Sequence, residues 1–182
     1  MHDDGGWKRR SSRYLFESAW FRLRQDELEL PSGQPITYSL IETAGYAMVV
    51  PLLDDGRVLL ERVFRYTVQQ TLLECPSGGL DGDTPEAAAH RELEEETGWV
   101  AKQLTALGSF YGSDGISNER AHLFLATGLS ETGVLKREPT EQIELEFLPI
   151  EEAVRRAFAG ELADAPSTLA LLLADHKLRS RS

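Results

Sequence analysis

Three glutamates on one short segment, Glu92, Glu95 and Glu96, are the residues whose type and spacing could carry out chemistry. Offsets of three and four residues place side chains on one face of an α-helix, where like charges destabilise an isolated helix by roughly 0.2–0.5 kcal/mol per pair. A divalent cation would reverse this penalty, because carboxylate oxygens are preferred ligands of Mg, Ca and Mn ions. The spacing therefore indicates a metal site. The alternative is a solvated acidic face, partly neutralised by His90 and Arg91.

The segment that carries these glutamates has the signals of a helix over Pro85–Thr97. Thr84 or Asp83 can cap its start, proline suits the first helical position, and Gly98 suits a left-handed residue at its end. A turn-rich stretch, residues 76–83, leads into it. The side chains expected to pack this helix on the core are Ala87, Ala88 and Leu93.

Strands and helices interleave along the rest of the chain, which indicates a mixed α/β sandwich. The first three strands are short and separated by turns, so residues 1–43 are expected to form a polar tail and an antiparallel β meander. Residues 44–182 are expected to form the main domain. Strands are predicted at 14–16, 21–30, 36–42, 44–53, 57–64, 103–111, 120–126 and 143–149, and further helices at 150–159 and 167–177.

Composition excludes several classes of function. Thirty acidic and nineteen basic side chains give a formal net charge of -11, which disfavours a surface that binds DNA or RNA. Cys75 is the single cysteine, so an internal disulfide framework and a multi-cysteine metal site are excluded. No segment has the apolar length of a signal peptide or a membrane span. We therefore expect a soluble cytoplasmic protein with neither nucleic acid nor membrane as a partner.

The turn and the helix together resemble the Nudix box of the Nudix hydrolases. The family pattern is a glycine, five residues, a glutamate, seven residues and then R-E-U-x-E-E-x-G-U, where U is apolar. Residues Arg91–Trp99 match the second half at every fixed position. In the first half Asp83 stands in place of the family's glutamate, and its interval from Gly78 is one residue short. The fold that this resemblance implies is α+β: an α/β/α sandwich with a mixed sheet, the Nudix fold.

The resemblance also implies roles for the box residues in the hydrolysis of a nucleoside diphosphate linked to another group, with Mg or Mn as cofactor. Glu92 and Glu96 would be the main metal ligands, and Glu95 a further ligand or the general base. The backbone carbonyl of Ser77 would be another ligand. Arg91 would orient a box carboxylate through a salt bridge. Such metals neutralise phosphate oxygens and lower the pKa of a bound water.

A second stretch narrows the resemblance to ADP-ribose pyrophosphatases and related nucleoside diphosphate sugar hydrolases. Val63–Tyr66, followed by Leu73–Gly78, is similar to the arrangement in that subgroup, where the arginine contacts the pyrophosphate. Arg65 would have that role, because a guanidinium can bind phosphate oxygens with two hydrogen bonds. Gly78 and Gly79 complete the expected substrate-binding residues. The alternative for Arg65 is a surface ion pair.

Residues Tyr111–Glu119 resemble the loop that follows the box in the same subgroup. In that subgroup a glutamate of the loop closes over the substrate and acts as general base or auxiliary metal ligand. Glu119 matches it, while Asp114 replaces the usual proline. A base must come within hydrogen-bond reach of the attacking water, which a loop achieves after closure. Whether Glu119 or Glu95 is the base stays open at this point.

The expected reaction is cleavage of ADP-ribose to a nucleoside monophosphate and a sugar phosphate. Alternative substrates are GDP-mannose, another sugar nucleotide, a dinucleoside polyphosphate or a nucleoside triphosphate. The N-terminal meander is a feature of the sugar-nucleotide subgroup, in which it helps to form a homodimer, and a homodimer is expected here by analogy. The alternative from another class is a Nudix domain without catalysis that senses a ligand.

Overall fold

The computed structural model of this protein describes residues 5–137 and 142–180. These residues contain ten strands and three helices. The chain divides into two compact units, each described separately below. Their bounds are Met1–Ala44 with Ser113–Glu119 for the first unit, and Gly45–Gly112 with Arg120–Ser182 for the second.

The first unit is built on a three-stranded antiparallel meander, which confirms the predicted N-terminal architecture. Strand β1 (Lys8–Glu17) pairs with β2 (Arg22–Glu29), and β2 pairs with β3 (Pro35–Glu42). Gly33 closes the turn between β2 and β3 at a φ of 84°, a value that glycine adopts without strain. Strand β1 begins well before the predicted residue 14, because its pairing with β2 continues through polar residues that show no apolar alternation.

The second unit contains two sheets and the three helices. Its four-stranded sheet is mixed and has the order β7-β4-β9-β8, with β4 and β9 parallel; its three-stranded sheet is antiparallel and has the order β10-β5-β6. Within the described residues, no helix is long and apolar enough to cross a membrane. The elements are β4 (Tyr46–Pro51), β5 (Arg57–Arg65), β6 (Gln70–Glu74), β7 (Ser77–Gly79), α1 (Pro85–Thr97), β8 (Trp99–Tyr111), β9 (Arg120–Glu131), β10 (Ile143–Pro149), α2 (Ile150–Phe158) and α3 (Ala165–Arg179).

Helices α1 and α3 pack on opposite faces of the mixed sheet. Val49 of β4 belongs to the same apolar cluster as Leu93 of α1, whereas its neighbour Met48 belongs to the cluster of Leu171 on α3. Successive side chains of a strand point to opposite faces, so these two clusters lie on the two sides of β4. The second unit is therefore the predicted α/β/α sandwich, with the mixed sheet as its middle layer.

Several details differ from the sequence-based expectation. Strands β6 and β7 were not predicted, and the three residues of β7, which include two glycines, carry no strand propensity. Helix α3 begins at Ala165 rather than at Ser167, since Asp164 caps it. On α1 the buried alanines are Ala88 and Ala89, whereas Ala87 is exposed.

Candidate active site

Helix α1 carries the three candidate glutamates, and local signals define its ends. The side-chain oxygen of Thr84 accepts a hydrogen bond from the Ala87 amide at 3.2 Å, so Thr84 rather than Asp83 is the cap. Gly98 ends the helix at a φ of 73°, and its amide donates to the Glu94 carbonyl at 2.8 Å. The helix therefore begins and ends where the sequence predicts.

The C-terminal end of α1 is held by the segment that precedes β10. The Lys136 amide donates to the Glu95 carbonyl at 2.9 Å. The Arg137 guanidinium donates to the Glu96 carbonyl at 2.7 Å and to the Ile143 carbonyl at 2.8 Å. A cation at this end is favourable, because the C-terminus of a helix carries partial negative charge. These bonds fix the backbone from which two of the glutamates project.

The carboxylates of Glu92 and Glu96 are buried, with exposed fractions of 8% and 7%. A buried charge is costly unless it is paired or binds a metal. Arg91 Nη1 donates to Glu92 Oε1 at 2.5 Å and lies 3.5 Å from Glu95 Oε2. The Ser77 amide donates to Glu96 Oε2 at 2.9 Å. The fold thus brings together the box glutamates, Arg91 and Ser77, all of which the sequence placed in one site.

Arg91 links the helix to the turn that precedes it. Its Nη2 donates to the Gly79 carbonyl at 2.7 Å, and its Nε donates to Asp83 Oδ2 at 3.3 Å. A hydrogen bond of 2.7 Å from the Asp83 amide to the Leu80 carbonyl tightens the turn, so the shorter aspartate still reaches Arg91 in the shortened loop. Burial opposes the charge of the guanidinium, but Glu92 and Asp83 raise the pKa of Arg91 above its ordinary value.

Gly78 lies against the carboxylate of Glu92, and a Cβ at this position would overlap that carboxylate. The Glu92 carboxylate would have to move away from Arg91, so we expect Gly78→Ala to lower the free energy of unfolding by about 1–3 kcal/mol, the cost of losing a hydrogen bond between charged groups. Urea unfolding measures this loss. Gly112→Ala is the matched control, because a Cβ there meets no atom within 4 Å. Equal stability of the two variants would contradict the close packing of Gly78 on Glu92.

The segment that leads into β7 is fixed on both sides. The Pro76 carbonyl accepts a hydrogen bond of 2.9 Å from the Val49 amide, and Ser77 pairs with Met48 in the register of β7 and β4. The amide of Ser77 is the group that bonds to Glu96. Ser77 therefore has a defined position relative to α1.

Arg65 ends strand β5 and is held by Glu74 on the neighbouring strand β6. Its Nε and Nη2 donate to the two carboxylate oxygens of Glu74 at 3.0 and 2.6 Å. The Glu74 side chain is buried, whereas about half of the Arg65 side chain is exposed. The bonds to Glu74 raise the pKa of the Arg65 guanidinium, and the charges of Glu96 and Asp164 raise it further. Arg65 does form an ion pair, but its partner Glu74 is a buried carboxylate rather than a surface one. Arg65 also interacts electrostatically with Glu96.

Glu119 belongs to the first unit, where its loop is bonded to strand β3. The Tyr38 hydroxyl donates to the Gly115 carbonyl at 2.7 Å, the Ile41 amide donates to the Ile116 carbonyl at 2.8 Å, and Asn118 Oδ1 accepts from the Thr43 amide at 2.9 Å. The residue Glu119 itself is exposed. In the part of the chain that the structure describes, its carboxylate makes neither a hydrogen bond nor an ion pair.

The donor set of α1 fits a hard divalent cation, since its acidic side chains offer carboxylate oxygens and Ser77 adds a backbone carbonyl. Glu92 and Glu96 are presently bonded to different donors, Arg91 and the Ser77 amide. Within residues 5–137 and 142–180, no three His, Cys, Asp or Glu side chains are arranged as a preformed metal site. Glu92, Glu95 and Glu96 would hold the cation together with the Ser77 carbonyl.

Cys75 lies close to this site but does not have the properties of a nucleophile. Its thiol is free and fully buried. Burial raises the pKa of the thiol far above its ordinary value, so the thiol stays protonated, and the thiolate is the reactive form. Cys75 therefore contributes packing to the site.

Sequence reasoning missed two groups that position the candidate site. Glu74 was given no role, although it is the buried partner of Arg65. Asp164 and Ser167 were also given no role, although their side chains bond to each other and the Ser167 hydroxyl accepts from the Cys75 amide. The pattern Asp-x-Pro-Ser at the start of a helix is a recognisable capping signal, but nothing in it tells which strand the helix will meet.

Comparison with protein families gives two matches, which lie one after the other along the chain. Residues 43–171 match the family described as NUDIX domain. Residues 7–41 match the family described as nucleoside diphosphate sugar hydrolase N-terminal domain. The second match covers the three strands of the meander except for the last residue of β3.

Relatives and a solved structure extend over most of the chain. An ADP-ribose pyrophosphatase of Bacillus subtilis (strain 168) is 34% identical over 160 residues, which are 86% of this chain and 86% of the relative. An ADP-ribose pyrophosphatase of Mycobacterium tuberculosis is 34% identical over 158 residues, which are 85% of this chain and 76% of the relative. The crystal structure of an ADP compounds hydrolase has the same fold, with a TM-score of 0.84 at 22% identity, and covers 97% of this chain and 96% of that chain.

Proposed function

This chain belongs to the NUDIX family and is a Nudix hydrolase, and from that premise we propose that it hydrolyses the pyrophosphate bond of ADP-ribose to AMP and ribose 5-phosphate. The observation that carries the proposal is a pair of buried carboxylates on α1, Glu92 and Glu96. Glu92 accepts a hydrogen bond from Arg91, and Glu96 accepts one from the Ser77 amide. A buried acidic pair of this kind is costly for an inert helix and useful for holding a cation.

The metal is proposed to be Mg or Mn, held by Glu92, Glu95, Glu96 and the Ser77 carbonyl. When bound, such ions neutralise phosphate oxygens and lower the pKa of a coordinated water. Arg91 keeps the Glu92 carboxylate oriented through its 2.5 Å bond, and its other nitrogens hold the turn. Among the catalytic residues, Arg91 therefore has the role of orienting the carboxylates that would bind the metal.

Arg65 is proposed to bind the pyrophosphate. Glu74 fixes its guanidinium through Nε and Nη2, and the half-exposed side chain keeps donors available for an anion. A charge-assisted hydrogen bond from Arg65 to a phosphate oxygen would keep the bridging bond in position while it breaks. Gly78 and Gly79 are also proposed to bind the substrate, because the absence of side chains lets their backbone approach the phosphates.

Glu119 is proposed to be the general base, with Glu95 as a metal ligand. Glu95 already lies within 3.5 Å of Arg91, whereas the Glu119 carboxylate is exposed on a loop whose other residues are bonded to β3. In the reaction, a water oxygen forms a bond to one phosphorus, its proton goes to Glu119, and the bond from that phosphorus to the bridging oxygen breaks. The bridging oxygen leaves with the other phosphate.

A sugar nucleotide is favoured over a nucleoside triphosphate because residues 7–41 match the N-terminal domain of nucleoside diphosphate sugar hydrolases. The test is incubation with ADP-ribose, GDP-mannose, UDP-glucose, NADH and dATP, each with Mg or Mn, followed by product analysis. We expect ADP-ribose to give the highest kcat/KM. Preference for dATP would contradict a sugar-nucleotide substrate, and preference for GDP-mannose would contradict ADP-ribose.

A homodimer is proposed to form through the meander. Every residue of β1 is exposed, including Tyr14, Leu15 and Phe16, and Trp20 beyond its end is 80% exposed. Contiguous exposed apolar side chains on an edge strand are typical of an interface. Sedimentation equilibrium should give twice the chain mass of 20.3 kDa, and a monomer at assay concentrations would contradict the dimer.

A cytoplasmic location is proposed as well, on the basis of the free buried thiol of Cys75, which suits a reducing compartment. Fractionation of the source cells tests this location. Recovery in an extracytoplasmic fraction would contradict it.

A further inference from the structure

Hydrogen bonds link Asp164, Ser167 and Cys75, and so join the start of α3 to the residue before Pro76. The Ser167 hydroxyl donates to Asp164 Oδ2 at 2.6 Å and accepts from the Cys75 amide at 2.8 Å. The Ser167 amide also donates to Asp164 Oδ2, at 2.8 Å. A sulfur, Met48 Sδ, lies 3.8 Å from the same hydroxyl, but the single hydroxyl proton goes to the closer and charged Asp164 oxygen.

This arrangement determines which way the hydroxyl faces. Because Asp164 takes the hydroxyl proton, a lone pair of Ser167 Oγ is left to accept from the Cys75 amide. Ser167 is fully buried, with an exposed fraction of 0%, so water does not replace it as the acceptor. The polar side chain therefore satisfies a buried backbone donor 92 positions earlier in the chain.

The Cys75 amide is one of three backbone groups that fix the segment Cys75–Ser77. The Pro76 carbonyl is bonded to the Val49 amide, and the Ser77 amide is bonded to the Glu96 carboxylate. Ser167 supplies the restraint at the first residue of the segment, on the side away from α1. Without it, the segment keeps its bonds to β4 and α1 but loses its attachment to α3.

We propose that Ser167, oriented by Asp164, is a positioning residue that holds Cys75–Ser77 so that the Ser77 carbonyl and the Glu96 carboxylate present their oxygens to one divalent cation. The cation in this inference rests on the proposed function. The part that concerns the position of the Cys75–Ser77 backbone does not depend on it. Partners that orient metal ligands without touching the metal commonly change metal affinity by about 10- to 100-fold when removed. Ser167 and Asp164 have the geometry of such partners for a backbone ligand.

The test uses Ser167→Ala in the full chain, with two readouts that do not depend on turnover. Amide hydrogen exchange, measured residue by residue by NMR, should be at least about tenfold faster at Cys75, because its amide loses a buried hydrogen bond. The dissociation constant for Mn²⁺, measured by electron paramagnetic resonance of the free ion, should rise by about 10- to 100-fold.

Thr168→Ala is the matched control. Thr168 lies in the same turn of α3, and its hydroxyl bonds to the Leu162 carbonyl at 3.3 Å rather than to the Cys75–Ser77 segment. It should leave both readouts within about twofold of the wild type. A Mn²⁺ affinity of Ser167→Ala within about twofold of the wild type would overturn the proposal, even where Cys75 exchanges faster and the variant melts at a lower temperature, because a purely structural role predicts that result.

A second pair of variants keeps the proposal testable if Ser167→Ala does not fold. Asp164→Asn retains an oxygen that can accept from Ser167, whereas Asp164→Ala removes it at a partly exposed position. Exchange at Cys75 should be faster in Asp164→Ala than in Asp164→Asn, and equal rates would overturn the role of Asp164. A wild type that binds Mn²⁺ but leaves ADP-ribose intact would refute the proposed function while the exchange and affinity readouts still test Ser167.

Discussion

Glu96→Gln should lower the kcat for ADP-ribose hydrolysis by about a thousandfold, which corresponds to ~4 kcal/mol of lost transition-state stabilisation. The substitution removes the negative charge that would hold the cation. It also keeps an oxygen that can accept the hydrogen bond from the Ser77 amide, so the fold should survive. Steady-state kinetics with Mg measure the effect, and circular dichroism and urea unfolding check the fold.

Glu94→Gln is the control for this result. Glu94 lies two residues before Glu96 on α1, is partly exposed, and is not among the residues assigned to the cation. Its kcat should stay within about twofold of the wild type, since surface substitutions away from the site change little. A wild-type rate in folded Glu96→Gln would contradict the assignment of the box helix as the metal site.

Glu119→Gln should lower kcat by about 100- to 10,000-fold at saturating metal, the range that general bases contribute. The amide cannot accept a proton from water, while the bonds that tie the loop to β3 come from its neighbours and remain. Steady-state kinetics with excess Mg measure the effect.

Glu95→Gln separates the two candidates for the base. As a metal ligand, its loss should raise the metal concentration needed for half-maximal rate, and kcat should recover largely when Mg or Mn is added in excess. An unchanged rate in Glu119→Gln, with a loss in Glu95→Gln that excess metal does not restore, would move the base from Glu119 to Glu95.

Much of the fold could be predicted because its signals are local. The cap, the proline and the glycine of α1 specify its ends, and the turn at Gly33 specifies the register of the meander. Strand β7 could not be predicted, because two of its three residues are glycines and only the contact with β4 makes it a strand. Local propensity decides an element when the element is long enough to bury a periodic face, and tertiary pairing decides the short ones.

The candidate site also contains residues that could be predicted from the sequence and residues that could not. Glu92, Glu95, Glu96 and Arg91 could be predicted together, since helical geometry alone brings residues three and four positions apart to one face. The partners that come from elsewhere in the chain could not. Glu74 reaches Arg65 through strand pairing, and Ser167 reaches Cys75 through the packing of α3. Contacts across such sequence separations depend on the whole fold, and no spacing rule gives them.

The acid excess of the chain now has a local meaning. Five acidic side chains are buried among the described residues, and two of them, Glu92 and Glu96, lie on one helix. The charge of Glu96 also raises the pKa of Arg65. An anionic diphosphate would be repelled by these carboxylates unless cations lay between them. The central claim is therefore that hydrolysis of ADP-ribose depends on a divalent metal.

The most direct test of that claim measures AMP and ribose 5-phosphate released from ADP-ribose by the metal-stripped protein, then with EDTA, and then after Mg or Mn is restored. We predict release of both products in equal amounts after the metal is restored, and none with EDTA. Release that EDTA leaves unchanged would contradict the metal-dependent mechanism. Intact ADP-ribose with either metal would contradict the proposed activity and would favour a domain that binds its ligand without cleaving it.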